Sequence, residues 1–217
     1  RADEDGRARR PGLLADDQRI YVTAGLLEYD PDQSVARYSA TAPATARLWQ
    51  ETTEFQGTAI TLDEATGSIG AEGNARSRSI IVQINDETGE LEPTMTTGRG
   101  ETVHYDDETR RAVYSTDAEL ESDRVHLKAD TIELYLHDDA QTLDRIVAVG
   151  NVALELTGRK VTGTTMTYYD SDGRYQMEGE PVRIVEETDG GCRETTGRTL
   201  TFFITDEAVT IDGDSEV

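Results

Sequence analysis

From Arg19 onward the chain alternates apolar and polar residues with period two, in runs punctuated by Gly, Asp and Asn. Such alternation marks β-strands joined by turns. No stretch longer than about two helical turns carries an apolar stripe at helical spacing, so the predicted helix content is low. Residues 1–18 differ: they are charged and aperiodic, with Pro11-Gly12 among them, and are expected to form a flexible tail. Residues 19–217 are expected to form a single β domain, a length common for all-β folds.

An apolar–polar–apolar triplet recurs six times along this domain. Its copies are Leu27-Glu28-Tyr29, Ile60-Thr61-Leu62, Val103-His104-Tyr105, Ile132-Glu133-Leu134, Met166-Thr167-Tyr168 and Leu200-Thr201-Phe202. Successive copies begin 33, 43, 29, 34 and 34 residues apart. A period in this range signals stacked supersecondary units, none able to bury its apolar face alone. Because neighbours on a strand point to opposite sides, the six middle residues are predicted to share a polar face and their flanking residues an apolar one. The longest interval contains the Gly- and Thr-rich residues 86–100, expected to be a loop insertion. A second element follows several triplets, as in Ile69-Gly70-Ala71-Glu72-Gly73-Asn74, residues 146–154, residues 175–181 and residues 208–214. Its recurring Gly predicts bulges or bends that curve the sheet.

Charge narrows the choice of partner. There are 44 acidic residues against 21 basic ones, for a net charge of −23. Nucleic-acid binding needs clustered Lys and Arg to neutralise phosphates, so it is excluded. Only Lys128 and Lys160 are lysines, and the remaining 19 basic residues are arginines. An acidic surface preferring Arg to Lys points to high-salt adaptation, since at about 1 M salt the Debye length falls to roughly 3 Å. Cys192 is the lone cysteine, which rules out an intramolecular disulfide and a cysteine-based zinc site. No apolar run reaches the ~18 residues of a membrane-spanning helix. The chain begins at Arg1 rather than Met, and the expectation is that a signal or anchor segment has been removed.

Three segments together carry a family resemblance. Ala148-Val149-Gly150-Asn151-Val152-Ala153-Leu154, then Val161-Thr162-Gly163-Thr164-Thr165-Met166-Thr167-Tyr168-Tyr169, then Met177-Glu178-Gly179-Glu180-Pro181-Val182 resemble the OstA-like repeat. That repeat belongs to the LptA/OstA-like family of lipopolysaccharide-transport proteins: LptA, LptC and the N-terminal periplasmic part of LptD. The match is good over roughly Val125–Val217 and looser over Ile20–Ser79. It implies an open, curved antiparallel β-jellyroll, folded like a taco shell, in the periplasm. The implied function is a non-enzymatic bridge, without cofactor, that shields lipopolysaccharide acyl chains in an apolar groove on their way to the outer membrane.

Carried onto this chain, the groove would be lined by Ile132, Leu134, Met166, Tyr168, Leu200 and Phe202 from the triplets. Val152, Leu154, Val182 and Ile184 would join them from neighbouring strands. The implied partners are lipopolysaccharide or a related glycolipid, and other Lpt-type jellyrolls or further copies of this chain docked on open sheet edges. Family members typically place basic residues near the groove mouth, whereas this chain is acidic. A few Arg residues, such as Arg183, are expected to meet lipid phosphates locally.

Other chemistry finds less support. His104, His126 and His137 form no pair at metal-ligand spacing. Asp170-Ser171-Asp172-Gly173 resembles the start of a calcium loop but lacks the later ligands, Pro181 standing where the last would be, and reads instead as a turn. Cys192 is expected to be a free thiol in a loop. Two alternative readings remain: a parallel β-helix enzyme acting on polysaccharide, or a structural surface or adhesin repeat protein with a tightly filled interior.

Overall fold

The structure, a computed structural model, describes residues 13–14, 19–85, 88, 90–188, 191–203 and 209–212. Within them, alternation at period two produces one sheet of fifteen strands. The first six are short: β1 (Tyr21–Thr23), β2 (Leu26–Asp30), β3 (Val35–Ser39), β4 (Ala46–Gln50), β5 (Thr53–Gly57) and β6 (Ala59–Asp63). The next eight are long: β7 (Ile69–Ile84), β8 (Leu91–Asp106), β9 (Arg111–Glu121), β10 (His126–Leu136), β11 (Leu143–Leu156), β12 (Arg159–Tyr169), β13 (Arg174–Thr188) and β14 (Gly191–Phe203). The short β15 (Val209–Asp212) ends the series, and a 3-10 turn at Asp170–Asp172 is the single helical element among the described residues. Consecutive strands from β7 to β15 pair in order, all antiparallel. The parallel β-helix alternative is thereby excluded, because parallel pairing is confined to one isolated bridge, Val82–Thr142.

Every long pairing breaks register near its middle, for example at Glu72/Ala75, Arg99/Thr102, Val149/Val152 and Glu178/Val182. These breaks align into a crease that divides the sheet into two arms. One arm holds residues 102–105, 111–115, 131–136, 143–149, 165–169, 174–178 and 199–203. The other holds residues 75–84, 91–100, 118–121, 126–129, 152–156, 159–163 and 182–188. At its start the sheet forks: β7 pairs β6 with Ile69–Glu72 and β5 with Arg76–Arg78. The path β6-β3-β2 thus extends the first arm and β5-β4-β1 the second.

Backbone chemistry explains the crease. Gly73-Asn74 and Gly150-Asn151 are left-handed at both residues, with φ of 74° and 50°, and of 80° and 49°, which is the conformation that Gly and Asn tolerate best. A β-carbon on Gly150 would lie 2.1 Å from Asp130 Oδ2, the carboxylate that accepts hydrogen bonds from Asn151 Nδ2. Small residues pair directly beside the crease at Ala46–Gly57 and Ala75–Gly100, and Gly163 sits opposite Val152. The expectation that repeated Gly marks bends therefore holds at 73 and 150, and at Gly179 within the register break of β13. Residues 213–214 lie outside the described residues.

One expectation is corrected. Within the expected loop insertion at 86–100, Leu91–Gly100 is strand, paired with β7 from Ala75–Gly100 out to Ile84–Leu91, and residues 86, 87 and 89 lie outside the described residues. The inward side chains there are Thr94, Thr96 and Gly98, so the apolar rhythm is missing although β-branched Thr suits the strand. Beyond the reach of β9 this β7–β8 hairpin runs on as a flap to the turns of the opposite arm. There Val82 N–H donates to Gln141 O at 2.8 Å. In the tail, residues 1–12 and 15–18 lie outside the described residues, but Leu13 and Leu14 are half-buried against the common core.

Candidate functional site

The inner faces of the two arms meet to form one apolar interior. Strand register makes the lining continuous. On the first arm a single row of directly paired residues runs Leu62, Ile69, Tyr105, Ala112, Leu134, Ile146, Tyr168, Tyr175, Phe202. A second row beside it contains Ile60, Val103, Ile132, Met166 and Leu200. All five of these triplets point their flanking residues inward, at 7% exposure or less, while the middle residues face out. The first triplet departs from the pattern: Leu27 and Tyr29 are 56% and 52% exposed, because β2 is an edge strand paired only with β3.

All ten residues expected to line a groove lie on this inner face. Six belong to the first arm and Val152, Leu154, Val182 and Ile184 to the second. Each is buried to 4% exposure or less. A cavity of about 30 Å³ remains between the arms, among Leu134, Leu154, Met166 and Tyr168 of the ten, with Ile81, Leu120, Leu127, Leu143, Ile146 and Tyr175. Space of that size holds about two water molecules. Ile132, Val152, Val182, Ile184, Leu200 and Phe202 pack outside it. The interior is filled, the property attached to a structural repeat protein, so packing alone does not separate that alternative from a lipid carrier.

Sequence reasoning missed part of the lining. Leu120 and Leu127 pair in one row of the second arm with the expected Leu154, in a part of the sheet that the triplet pattern does not reach. The signal was the shift in apolar phase across the crease: β10 buries Leu127 and Ala129 before the break and Ile132 and Leu134 after it.

Polar groups brace the interior at two places. Tyr114 crosses from the first arm, its ring filling the space above Gly98 and its hydroxyl 2.9 Å from Ser77 Oγ, both buried. Burial pushes the Tyr114 hydroxyl above its ordinary pKa, and the Ser77 hydrogen bond partly offsets this. At the mouth, buried Asp170 latches the flap. Its carboxylate accepts from Ile84 N–H at 3.2 and 3.3 Å and from Tyr168 OH at 3.2 Å. Burial raises the Asp170 pKa, and the two hydrogen bonds counter that rise without cancelling it. Leu13 sits in the same mouth, beside Phe55, Tyr105, Tyr114 and Leu136.

The Asp170–Asp172 turn ends at left-handed Gly173, with Asp170 turned inward, as the turn reading requires. His104 faces outward opposite Gly70. Among the described residues no group of three or more His, Cys, Asp or Glu is placed to hold a metal ion. Cys192 is a free, exposed thiol, but it lies in β14 rather than in a loop. Arg183 points away from the interior and pairs with Glu194 at 2.6 and 2.7 Å. It cannot meet a ligand held between the arms, because the crease reverses which residues of β13 face inward.

Fold and interior together define a class: an open, creased antiparallel β-jellyroll with one continuous apolar inner face. The model of the LptA/(LptD N-terminal domain) LPS transport protein family matches residues 99–208, just over half of the chain. The chain belongs to this family. Among solved structures it resembles LptH, the LptA homologous periplasmic component of the lipopolysaccharide transport device from Pseudomonas aeruginosa. That likeness has a TM-score of 0.47 and 20% sequence identity, over 62% of this chain and 84% of the other. A comparison with curated proteins finds no match. No helix among the described residues is long and apolar enough to cross a membrane.

Proposed function

We propose that this protein is a periplasmic lipid bridge, which takes lipopolysaccharide acyl chains between its two arms and passes them toward the outer membrane. The observation that carries this is the unbroken inner face: paired apolar rows cross every strand from β6 to β14, so an alkyl chain finds the same surface along the whole length. Each methylene moved from water onto that surface contributes about 0.8 kcal/mol, and about ten of them roughly 8 kcal/mol. Since the interior is filled, entry requires the arms to part. The flap and Leu13, which bridge the mouth, are the contacts that must yield.

The exposed apolar residues of the open end, Tyr21, Leu26, Leu27 and Tyr29, fit docking of another jellyroll, of the Lpt type or a second copy, onto β1 and β2. Such a bridge makes and breaks no bonds.

Photo-crosslinking tests the reading. A light-reactive residue is placed at Tyr168 or Phe202, and at outward-facing Thr167 or Thr201 as controls, and lipopolysaccharide is offered at low and high salt. Labelling at 168 and 202 alone is expected. Equal labelling at all four positions, or none at any, sinks the proposal and leaves the closed structural core.

A further inference from the structure

The apolar lining is continuous, but the space over it is divided. One cavity, of about 30 Å³, reaches to Tyr168 of β12 and Tyr175 of β13. A second, of about 20 Å³, lies toward the start of the sheet, among Phe55 of β5, Ser77 of β7 and Tyr105 of β8, with Leu13 in its wall. Ile81, Thr96 and Leu134 border both. On the crease side of this shared wall stands Tyr114, paired with Val103 and Ile132 one inward step nearer the crease than Leu134. Its ring crosses from the first arm to the second and lies over Gly98, where a β-carbon would overlap it. The hydroxyl ends 2.9 Å from Ser77 Oγ, and both residues are buried. One side chain thus spans the interior where the two cavities meet.

The parts of this wall differ in what holds them. Thr96 and Ile81 lie on the flap, past the last β8–β9 pair at Thr97–Glu121, so opening the mouth carries them away. Ser77 and Gly98 stay behind, because Ser77 is paired with Phe55 of β5 and Gly98 with Leu120 of β9. Tyr114 is therefore the barrier that remains once the flap has lifted. A tyrosine ring turns about its own side-chain torsions. At its far end this one is held by a single hydrogen bond and by contact with a glycine. It can leave that seat without unpairing any strand.

We infer that Tyr114 is a gate across the interior: with its ring on Gly98 it confines an acyl chain to the part between β9 and β14, and a chain passes toward β5 when the ring swings off. This rests on the lipid-bridge reading and adds the residue that controls where along the interior a chain resides. The obstruction is the ring itself, which fills the gap between the arms. Ser77 acts as a positioning residue that keeps the ring across that gap.

The test offers lipopolysaccharide to the full chain with a light-reactive residue at Tyr168, in the larger cavity, or at Phe55, in the smaller one. With Tyr114 in place, labelling at 168 should exceed labelling at 55 by about tenfold, the ratio that about 1.4 kcal/mol sets between two stations. Tyr114→Ala should bring the two positions within about threefold of each other. Tyr114→Leu, apolar but too short to reach the second arm, should do the same and serves where the alanine variant fails to fold. Tyr114→Phe keeps the ring and loses the hydrogen bond, so it should retain the preference although it is less stable. That contrast separates obstruction by the ring from its contribution to stability. Equal labelling at 55 and 168 with Tyr114 in place overturns the gate and leaves the bridge intact. A preference that survives Tyr114→Leu also overturns the gate. Loss of the preference in Tyr114→Phe as complete as in Tyr114→Leu overturns the assignment to the ring. No labelling at either position with Tyr114 in place overturns gate and bridge together.

Discussion

Asp170 is the residue through which the closure of the mouth is best interrogated. Its carboxylate is buried, yet it accepts the Ile84 N–H of the flap and the Tyr168 hydroxyl of the arm. Asp170→Ala leaves each of those donors one acceptor short. A partly buried donor deprived in this way costs about 1–3 kcal/mol. With Ile84 only half-buried, about 2 kcal/mol for the pair is expected, or about 4–8 °C in melting temperature for a domain of this size. Asp170→Asn keeps an acceptor oxygen but cannot ionise.

The sign of its pH response follows from the raised pKa. Folding makes this carboxyl harder to ionise, so the folded state holds the proton more tightly than the unfolded chain does. The stabilising contribution is full below the usual value of 3.8 and is lost as pH rises through the raised folded value. At neutral pH the buried charge is a cost. Asp170→Asn should therefore match or exceed wild-type stability at pH 7 and lose this part of the acid-range response, whereas Asp170→Ala should be weaker at every pH. Unfolding followed by circular dichroism from pH 3 to 8, with hydrogen exchange at the Ile84 amide, measures both. Equal losses in the two variants, or undiminished protection of Ile84 in Asp170→Ala, would refute the latch.

Three further outcomes are expected. Gly150→Ala should cost about 1–3 kcal/mol through left-handed strain, aggravated by Asp130 Oδ2 at 2.1 Å from the new methyl. Gly158→Ala, at φ of 73° with nothing within 4 Å, should cost less, and urea unfolding of the pair shows whether crowding at the crease matters. Tyr114→Phe should destabilise by about 1–3 kcal/mol, because the buried Ser77 hydroxyl loses its partner across the arms, and Ser77→Ala in the Tyr114→Phe background should recover part of that loss. Potassium chloride raised from low concentration to about 1 M should raise the unfolding midpoint, as screening relieves repulsion within a chain of net charge −23. An unchanged midpoint would count against high-salt adaptation.

Local pattern was sufficient for much of this protein. Period-two alternation specified strands, the recurring triplets specified a row that five copies build in register, and Gly-Asn pairs at 73–74 and 150–151 specified bends. All of these depend on neighbours along one strand, whose side chains must alternate between faces whatever they pack against. The ten residues expected to line a groove are buried on the inner face for the same reason.

Everything that depends on which strands meet came instead from packing between distant segments. The crease changes the inward phase, so Val182 and Ile184 of β13 face inward while Arg183 points to solvent, a reversal that alternation alone cannot announce. The flap was hidden because its inner face is Thr and Gly, and its strand character comes from pairing with β7 rather than from an apolar rhythm. Leu27 and Tyr29 repeat the motif yet lie exposed, since burial needs a facing arm and the edge strand has none. Local alternation set the faces; the fold set which faces close on one another, because burial is a property of contacts between segments distant along the chain.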